Sequence, residues 1–189
     1  MENNKIKDIS RRNFIARAGL AVAAGVILGA KGDAGAGPSK PLLVSTYAFG
    51  KKANEAGLDV LRNGGTALDA VEGGAWVIEA DSSNATVGIG GMPNAAGVVQ
   101  LDAAIMWGPG SQAGSVAALE DFLHPISVAR RVMEKSPHVM LVGEGAHHFA
   151  LEEGFEEVEL LTEKRRQEWR RWKEQSQPVP PQAGPENHD

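Results

Sequence analysis

Asn63-Gly64-Gly65-Thr66-Ala67-Leu68-Asp69-Ala70-Val71 sets the end of one helix directly against the start of another. Asn-Gly-Gly supplies residues that enter the left-handed region at little steric cost, which is how a helix stops. Thr66 offers a side-chain oxygen to the free amides of a following first turn, and Asp69 brings negative charge to the positive end of the helix dipole. Working upstream, Lys52 to Arg62 is expected to be helical, with Ala53, Ala56, Leu58, Val60 and Leu61 mostly on one side. Downstream, a second helix is expected from Thr66 to about Ala80. Before both, Leu42-Leu43-Val44-Ser45-Thr46 reads as a buried first strand, over which the two helices would form a hairpin.

Farther along, Asp81 to Gly97 is rich in Gly, Ser, Asn and Ala and reads as a loop. Val98 to Met106 and Ala113 to Leu119 read as two strands joined by a turn over Trp107 to Gln112, an antiparallel hairpin. Pro125 opens a helix through Lys135, since proline is at home in a first helical position. Val139-Met140-Leu141-Val142 reads as a short buried strand, and Gly145 to Glu153 as a further helix. Glu163 to Gln175 is a charged helix carrying Trp169 and Trp172. Pro178, Pro180, Pro181 and Pro185 then mark an open link over 177–189. The density of Ala and Gly throughout suits closely packed layers, and no internal repeat is visible.

The 189 residues suffice for one domain with a core. A hydrophobic share of 42%, a charged share of 23% and a net charge of -5 point to neither nucleic acid nor an anionic membrane surface. The sequence has no cysteine, which excludes disulfides, thiolate metal sites and a cysteine nucleophile. The first 36 residues are set apart from the fold. Lys5, Lys7 and Ser10-Arg11-Arg12-Asn13-Phe14-Ile15 precede an apolar run from Ala18 to Ala30, with Ala34-Gly35-Ala36 as a small-residue cleavage site. The order resembles a twin-arginine export signal, and the expected location is periplasmic or secreted. The run is too short to span a bilayer, and no membrane association is expected of the mature form.

Most catalytic templates fail. Gly-x-Ser-x-Gly is absent, since Ser111 is flanked by Pro109 and Ala113 two residues either side. Gly88-Ile89-Gly90-Gly91-Met92-Pro93 lacks a Walker lysine and completes no dinucleotide fingerprint. It reads as backbone packed closely against a neighbour. His138, Glu144, His147 and His148 form no zinc spacing and read as solvent-facing, so no metal and no cofactor are expected. Lys164-Arg165-Arg166 and Arg170-Arg171 are interleaved with acidic and amide residues. They read as a solvated helix that docks by its tryptophans, with nucleic acid not expected as a partner.

What remains is a set of motifs in order: Ser45-Thr46-Tyr47-Ala48-Phe49-Gly50, Asn63 to Val71, Val87 to Asn94, Leu101-Asp102-Ala103, Gly114-Ser115-Val116-Ala117, Pro125 to Arg130, Pro137 to Gly143, and the terminal Asn187-His188-Asp189. Together they resemble the α-chain of glycosylasparaginases (aspartylglucosaminidases), which are N-terminal nucleophile hydrolases. The resemblance runs from about Pro41 to Asp189.

It implies an α/β fold in four layers (αββα): two face-to-face sheets with helices outside each, incomplete without a β-chain. It implies a precursor that cleaves itself at His-Asp-Thr, the exposed threonine becoming the nucleophile of the β-chain. By that resemblance the Asp189 carboxylate activates the threonine hydroxyl and His188 positions the scissile bond. Thr86 stands where the family has a serine that meets the nucleophile's amine. Tyr47 replaces the family's tryptophan against the substrate's aspartyl group, and Phe49 packs beneath the pocket. Asp69 and Asp102 read as a helix-start charge and a structural acceptor. The implied reaction is hydrolysis of N4-(β-N-acetylglucosaminyl)-L-asparagine to aspartate and a glycosylamine by an (αβ)2 heterotetramer, the isolated α-chain being inactive and prone to aggregate. A plain asparaginase or isoaspartyl peptidase of the same superfamily, and an inactive secreted remnant, stay open beside it, as does whether the chain is a mature α-subunit or a truncated gene fragment.

Overall fold

The computed structural model describes residues 40–176. The export-type leader at 1–36, the proline-rich link at 177–189, His188 and Asp189 all lie outside the described residues. The helix pair appears as read. Helix α1, Gly50–Arg62, ends at Asn63, and Gly64 takes a φ of 86°. Helix α2, Ala67–Glu79, begins with a complete capping box: the Asp69 amide donates to Thr66 Oγ1, and the Thr66 amide donates to Asp69 Oδ2 at 2.8 Å.

The hairpin is tight because glycine lets backbones meet. A Cβ on Gly74 would stand 2.7 Å from the Ala53 carbonyl oxygen, and one on Gly57 would stand 2.7 Å from that of Ala70. The pair does not cover a strand, however. Residues 41–46 have no regular structure, and Leu42 and Val44 are 85% and 83% exposed. A strand exists only through inter-strand hydrogen bonds, and among the described residues no strand pairs with this segment.

Beyond the loop, β1 (Leu101–Trp107) and β2 (Gln112–Leu119) form the expected antiparallel hairpin. Its register shifts between Leu101 and Ala103, and Asp102 Oδ1 accepts the amide of Ala118 at 2.8 Å. Asp102 is thus the structural acceptor its position suggested. Helix α3, Pro125–Lys135, packs on this hairpin and crosses to β3, Met140–Val142, which runs parallel to β2. The result is a mixed three-stranded sheet ordered β1-β2-β3. The last strand is less buried than expected: Val139, Met140 and Val142 are exposed, because β3 is a sheet edge.

Helix α4, Gly143–Glu152, follows at once, and α5, Glu163–Gln175, closes the described chain. The main core gathers Ile105, Val116, Leu119, Phe122, Val128 and Val132 between sheet, α3 and α4. No helix among the described residues is long and apolar enough to cross a membrane.

Helix α5 does not dock mainly through its tryptophans. Its buried residue is Arg165, whose Nε donates to the Gly90 carbonyl at 2.7 Å and whose Nη1 meets Glu168 at 2.6 Å. Trp169 does lie against Gly97, but Trp172 is half exposed.

Helix α3 lies directly on the sheet at Gly114, where a Cβ would overlap the Ala129 carbonyl and the Met133 amide. Gly114→Ala in the full-length protein is therefore expected to cost about 1–3 kcal/mol, read as a lowered midpoint in thermal or urea unfolding.

Candidate functional site

Of the residues with a sequence-assigned site role, Tyr47 and Thr86 lie on segments that flank one end of the helix hairpin, while His188 and Asp189 lie outside the described residues. Tyr47 and Phe49 precede α1, their rings stacked with centroids 5.2 Å apart and planes 10° apart. Both are exposed, and Phe49 stacks beside Tyr47. The turn is held by Ser45 Oγ donating to Asn54 Oδ1 at 2.6 Å.

Thr86 lies on the loop that leaves the far end of α2. Its hydroxyl donates to Asn84 Oδ1 at 2.6 Å and its amide to the same oxygen at 2.8 Å. The Asn84 side chain thus folds the loop back on itself and leaves Thr86 exposed. Glycine then seats the loop. Gly88 has a φ of 68°, and a Cβ there would overlap the Glu79 carbonyl; one on Gly90 would overlap Asn84 and Ser82. The glycine run is therefore a close-packed turn, as its composition suggested.

The two segments are linked by an ion pair. Lys52, in the first turn of α1, reaches Asp81 Oδ2 at 3.4 Å, just past the end of α2. Two hydrogen bonds from Ser83 and the Lys52 ammonium hold the Asp81 carboxyl below its ordinary range. Among the described residues no hydrogen bond or ring contact joins Tyr47 to Thr86 directly. The helix hairpin brings their segments to one end, where this pair spans them.

Behind the loop lies a buried polar bridge that the sequence reading missed. Glu79, 4% exposed, accepts the Ile126 amide at 3.2 Å, and its other carboxyl oxygen is hydrogen-bonded to His124 Nδ1 at 2.9 Å. Ser127 Oγ donates to Glu72 at 2.6 Å and accepts from Trp76 Nε1 at 2.7 Å. Arg130 Nη1 reaches both Asp69 and Glu72 at 2.7 Å. Hence Asp69 is more than a helix-start charge. The Thr66 hydroxyl and amide, with Arg130, bring its carboxyl down to about 2. The one legible signal was Glu79 itself, an acid in the last turn of a helix, where the dipole disfavours it.

Of the residues set aside as solvent-facing, His138, Glu144 and His148 are exposed. His147 is not. It is half-buried edge-on to Phe122, with ring centroids 5.0 Å apart, and its Nε2 is 2.9 Å from Glu157 Oε1. Asp121 completes a group whose ligand atoms lie within 4.8 Å of one another. Neighbour spacing could not find it, because its members come from three separate segments.

Burial pushes the Glu79 carboxyl up to about 8 and lowers the His124 imidazole. Taken alone, Glu79 loses stabilisation as pH rises from its unfolded value of 4.5 through about 8. Taken alone, His124 loses it as pH falls below 6.5. The opposing His124 contribution is complete once the pH passes its unfolded value of 6.5, so the net decline shows above that pH. Between there and about pH 8 the loss should reach about 1–2 kcal/mol, from a limiting slope of ~1.4 kcal/mol per pH unit. Glu79→Gln should flatten that fall in urea titrations run across the range.

The comparisons with known proteins follow the same lines. The asparaginase family model matches residues 25–186. The chain is 47% identical over 186 residues to an N(4)-(Beta-N-acetylglucosaminyl)-L-asparaginase of Elizabethkingia miricola, covering 95% of this chain and 54% of that protein. It is 45% identical over 122 residues to the enzyme of that name from Mus musculus, covering 65% of this chain and 35% of that one. An isoaspartyl peptidase/L-asparaginase of Xenopus laevis is 42% identical over 155 residues, covering 79% of this chain and 50% of that protein. The chain thus spans about half the length, or less, of these curated relatives.

Proposed function

Since this chain belongs to the asparaginase family, with glycosylasparaginases among its relatives, we propose that it is the α-part of a self-activating amidohydrolase whose threonine nucleophile lies in a β-part. The reading is supported above all by the 47% identity over 95% of the chain. The exposed Thr86 hydroxyl, on a loop seated by glycine, agrees with it. The finer architecture proposed is the four-layer αββα sandwich. The exposed edge at β3 and the exposed Leu42 and Val44 are where further strands would add.

The chemistry follows from what a threonine needs. Its hydroxyl is a weak nucleophile at neutral pH and requires a base. Its own α-amine, with a pKa near ~8, can take the proton once the preceding peptide bond is broken. In self-cleavage the hydroxyl oxygen attacks the Asp189 carbonyl carbon, and the C–N bond breaks. The amine takes up the proton, and water then opens the ester. We assign activation of that hydroxyl to the Asp189 carboxylate and positioning of the bond to His188. In the mature enzyme Thr86 would hold the freed amine through its hydroxyl, releasing Asn84 as its present acceptor. Tyr47 would form the aromatic wall against the substrate.

The substrate proposed is N4-(β-N-acetylglucosaminyl)-L-asparagine, cleaved to aspartate and glycosylamine. The asparaginase or isoaspartyl peptidase reading also has support, because Tyr47 replaces the family's tryptophan and one relative carries that name. The assembly proposed is an (αβ)2 heterotetramer. Export by the twin-arginine-type leader to the periplasm or beyond is part of the same proposal.

The deciding experiment expresses the full-length precursor and follows its mass and its turnover of the glycosylated amide, free asparagine and β-aspartyl peptides. A break after Asp189 with preference for the glycosylated amide is expected. An uncleaved, inactive precursor overturns the proposal. Thr86→Ala should lower kcat about 10–100-fold, the loss of one hydrogen bond to a charged group. Tyr47→Trp should shift the kcat/KM ratio toward the glycosylated substrate.

A further inference from the structure

On the face of the domain formed by the β2–α3 connection and α4, three residues converge that no part of the proposed hydrolysis uses. Asp121 lies between β2 and α3, His147 on α4, and Glu157 between α4 and α5. Their ligand atoms lie within 4.8 Å of one another. His147 Nε2 and Glu157 Oε1 are already 2.9 Å apart. That is close to the ~3 Å separating adjacent ligands about an ion held at ~2.1 Å.

We propose that Asp121, His147 and Glu157 form a binding site for a divalent first-row transition ion of the zinc class. One imidazole nitrogen and two carboxylates are a donor set that such ions take, with the remaining positions filled by water.

The surroundings are built for it. Asp121 sits in the left-handed region at φ 64°, and its carbonyl is pinned by the Val158 amide at 2.7 Å. This anchors the Asp121 segment against the one carrying Glu157. The Phe122 ring, fully buried, meets the His147 ring edge-on and limits its rotation. A cavity of about 400 Å³, lined by Glu120, Asp121, Glu144, His147 and His148 among others, opens beside the ligands and leaves room for coordinated water. Burial first, and then the charges of Glu120, Glu157 and Glu159, disfavour the Asp121 carboxylate, with His147 the one favourable neighbour among them. A dication would reverse that repulsion. Coordination uses the lone pair on Nε2, so the single ring proton resides on Nδ1, and Glu157 changes from hydrogen-bond acceptor to neighbouring ligand. An ion held there would tie three separate segments together.

The test uses untagged full-length protein stripped with a chelator, with Zn2+ as the probe, titrated by calorimetry or against a competing chromophoric chelator. One ion per chain is expected, with a Kd of about 10 µM or tighter and a thermal midpoint raised by several degrees at ~100 µM free Zn2+. Asp121→Asn keeps a residue that tolerates the left-handed backbone. It should weaken binding at least ~10-fold and remove the thermal shift. His147→Gln, which can still hydrogen-bond Glu157, should do the same. Absence of saturable binding, or equal affinity in Asp121→Asn and wild type, overturns the proposal and leaves an ordinary histidine–glutamate ion pair. Neither readout depends on catalysis, so failure here is distinguishable from failure of the hydrolase reading.

Discussion

The polar bridge between α2 and α3 is the constraint on which the rest of the arrangement rests. Those two helices belong to different local units: α2 is half of a hairpin made with α1, while α3 lies on the sheet. Leu68 and Ala75 of α2 pack against the core to which α3 contributes, and polar contacts complete the junction. The polar part of the connection is Glu79 against His124 and the Ile126 amide, and Glu72 against Ser127. Arg130 completes it, spanning Asp69, Glu72 and Glu134. Buried polar groups are costly unless fully partnered. A bridge of this kind therefore has one geometry in which it is tolerable, and that geometry sets the angle of the hairpin to the sheet. Arg130 suits the role because its planar guanidinium offers several donors in a fixed fork.

From that fixed angle the candidate site follows. Glu79 is the last residue of α2, and its carbonyl is what Gly88 packs against. The loop bearing Thr86 is therefore seated on the same residue whose side chain ties the helices. Arg165 reinforces the seat from the other side, donating to the Gly90 and Ser83 carbonyls. A hydroxyl meant to meet a partner group needs such support, since a displacement of an ångström is enough to lose an oriented hydrogen bond. The Lys52–Asp81 pair is exposed and contributes little energy by itself. The close packing of α1 on α2 is what places the start of α1, and with it Tyr47, beside the loop.

Much of this was legible in the residues one by one. The helix stop at Asn63-Gly64-Gly65, the capping box of Thr66 and Asp69, and proline opening α3 involve groups within a few positions of one another. Local steric and hydrogen-bond rules decide them before any tertiary contact forms. The β1–β2 hairpin was legible for the same reason. The motif order also carried the family, which no single piece could have done.

Elsewhere the outcome depended on neighbours far along the chain. Leu42 to Thr46 has strand-like residues, yet a strand is a relation between segments, and no described segment pairs with it. Val139 to Val142 has the same apolar composition whether it lies inside a sheet or at its edge, and only the sheet order placed it at the edge. Glu79, Arg165 and His147 are ordinary surface residue types by composition, drawn inward by partners 45, 75 and 10 positions away in the chain. Sequence alone therefore determined the helices, their caps and the family. Tertiary structure alone decided which charged side chains are buried and what they hold, because burial and pairing belong to distances in space that chain position does not encode.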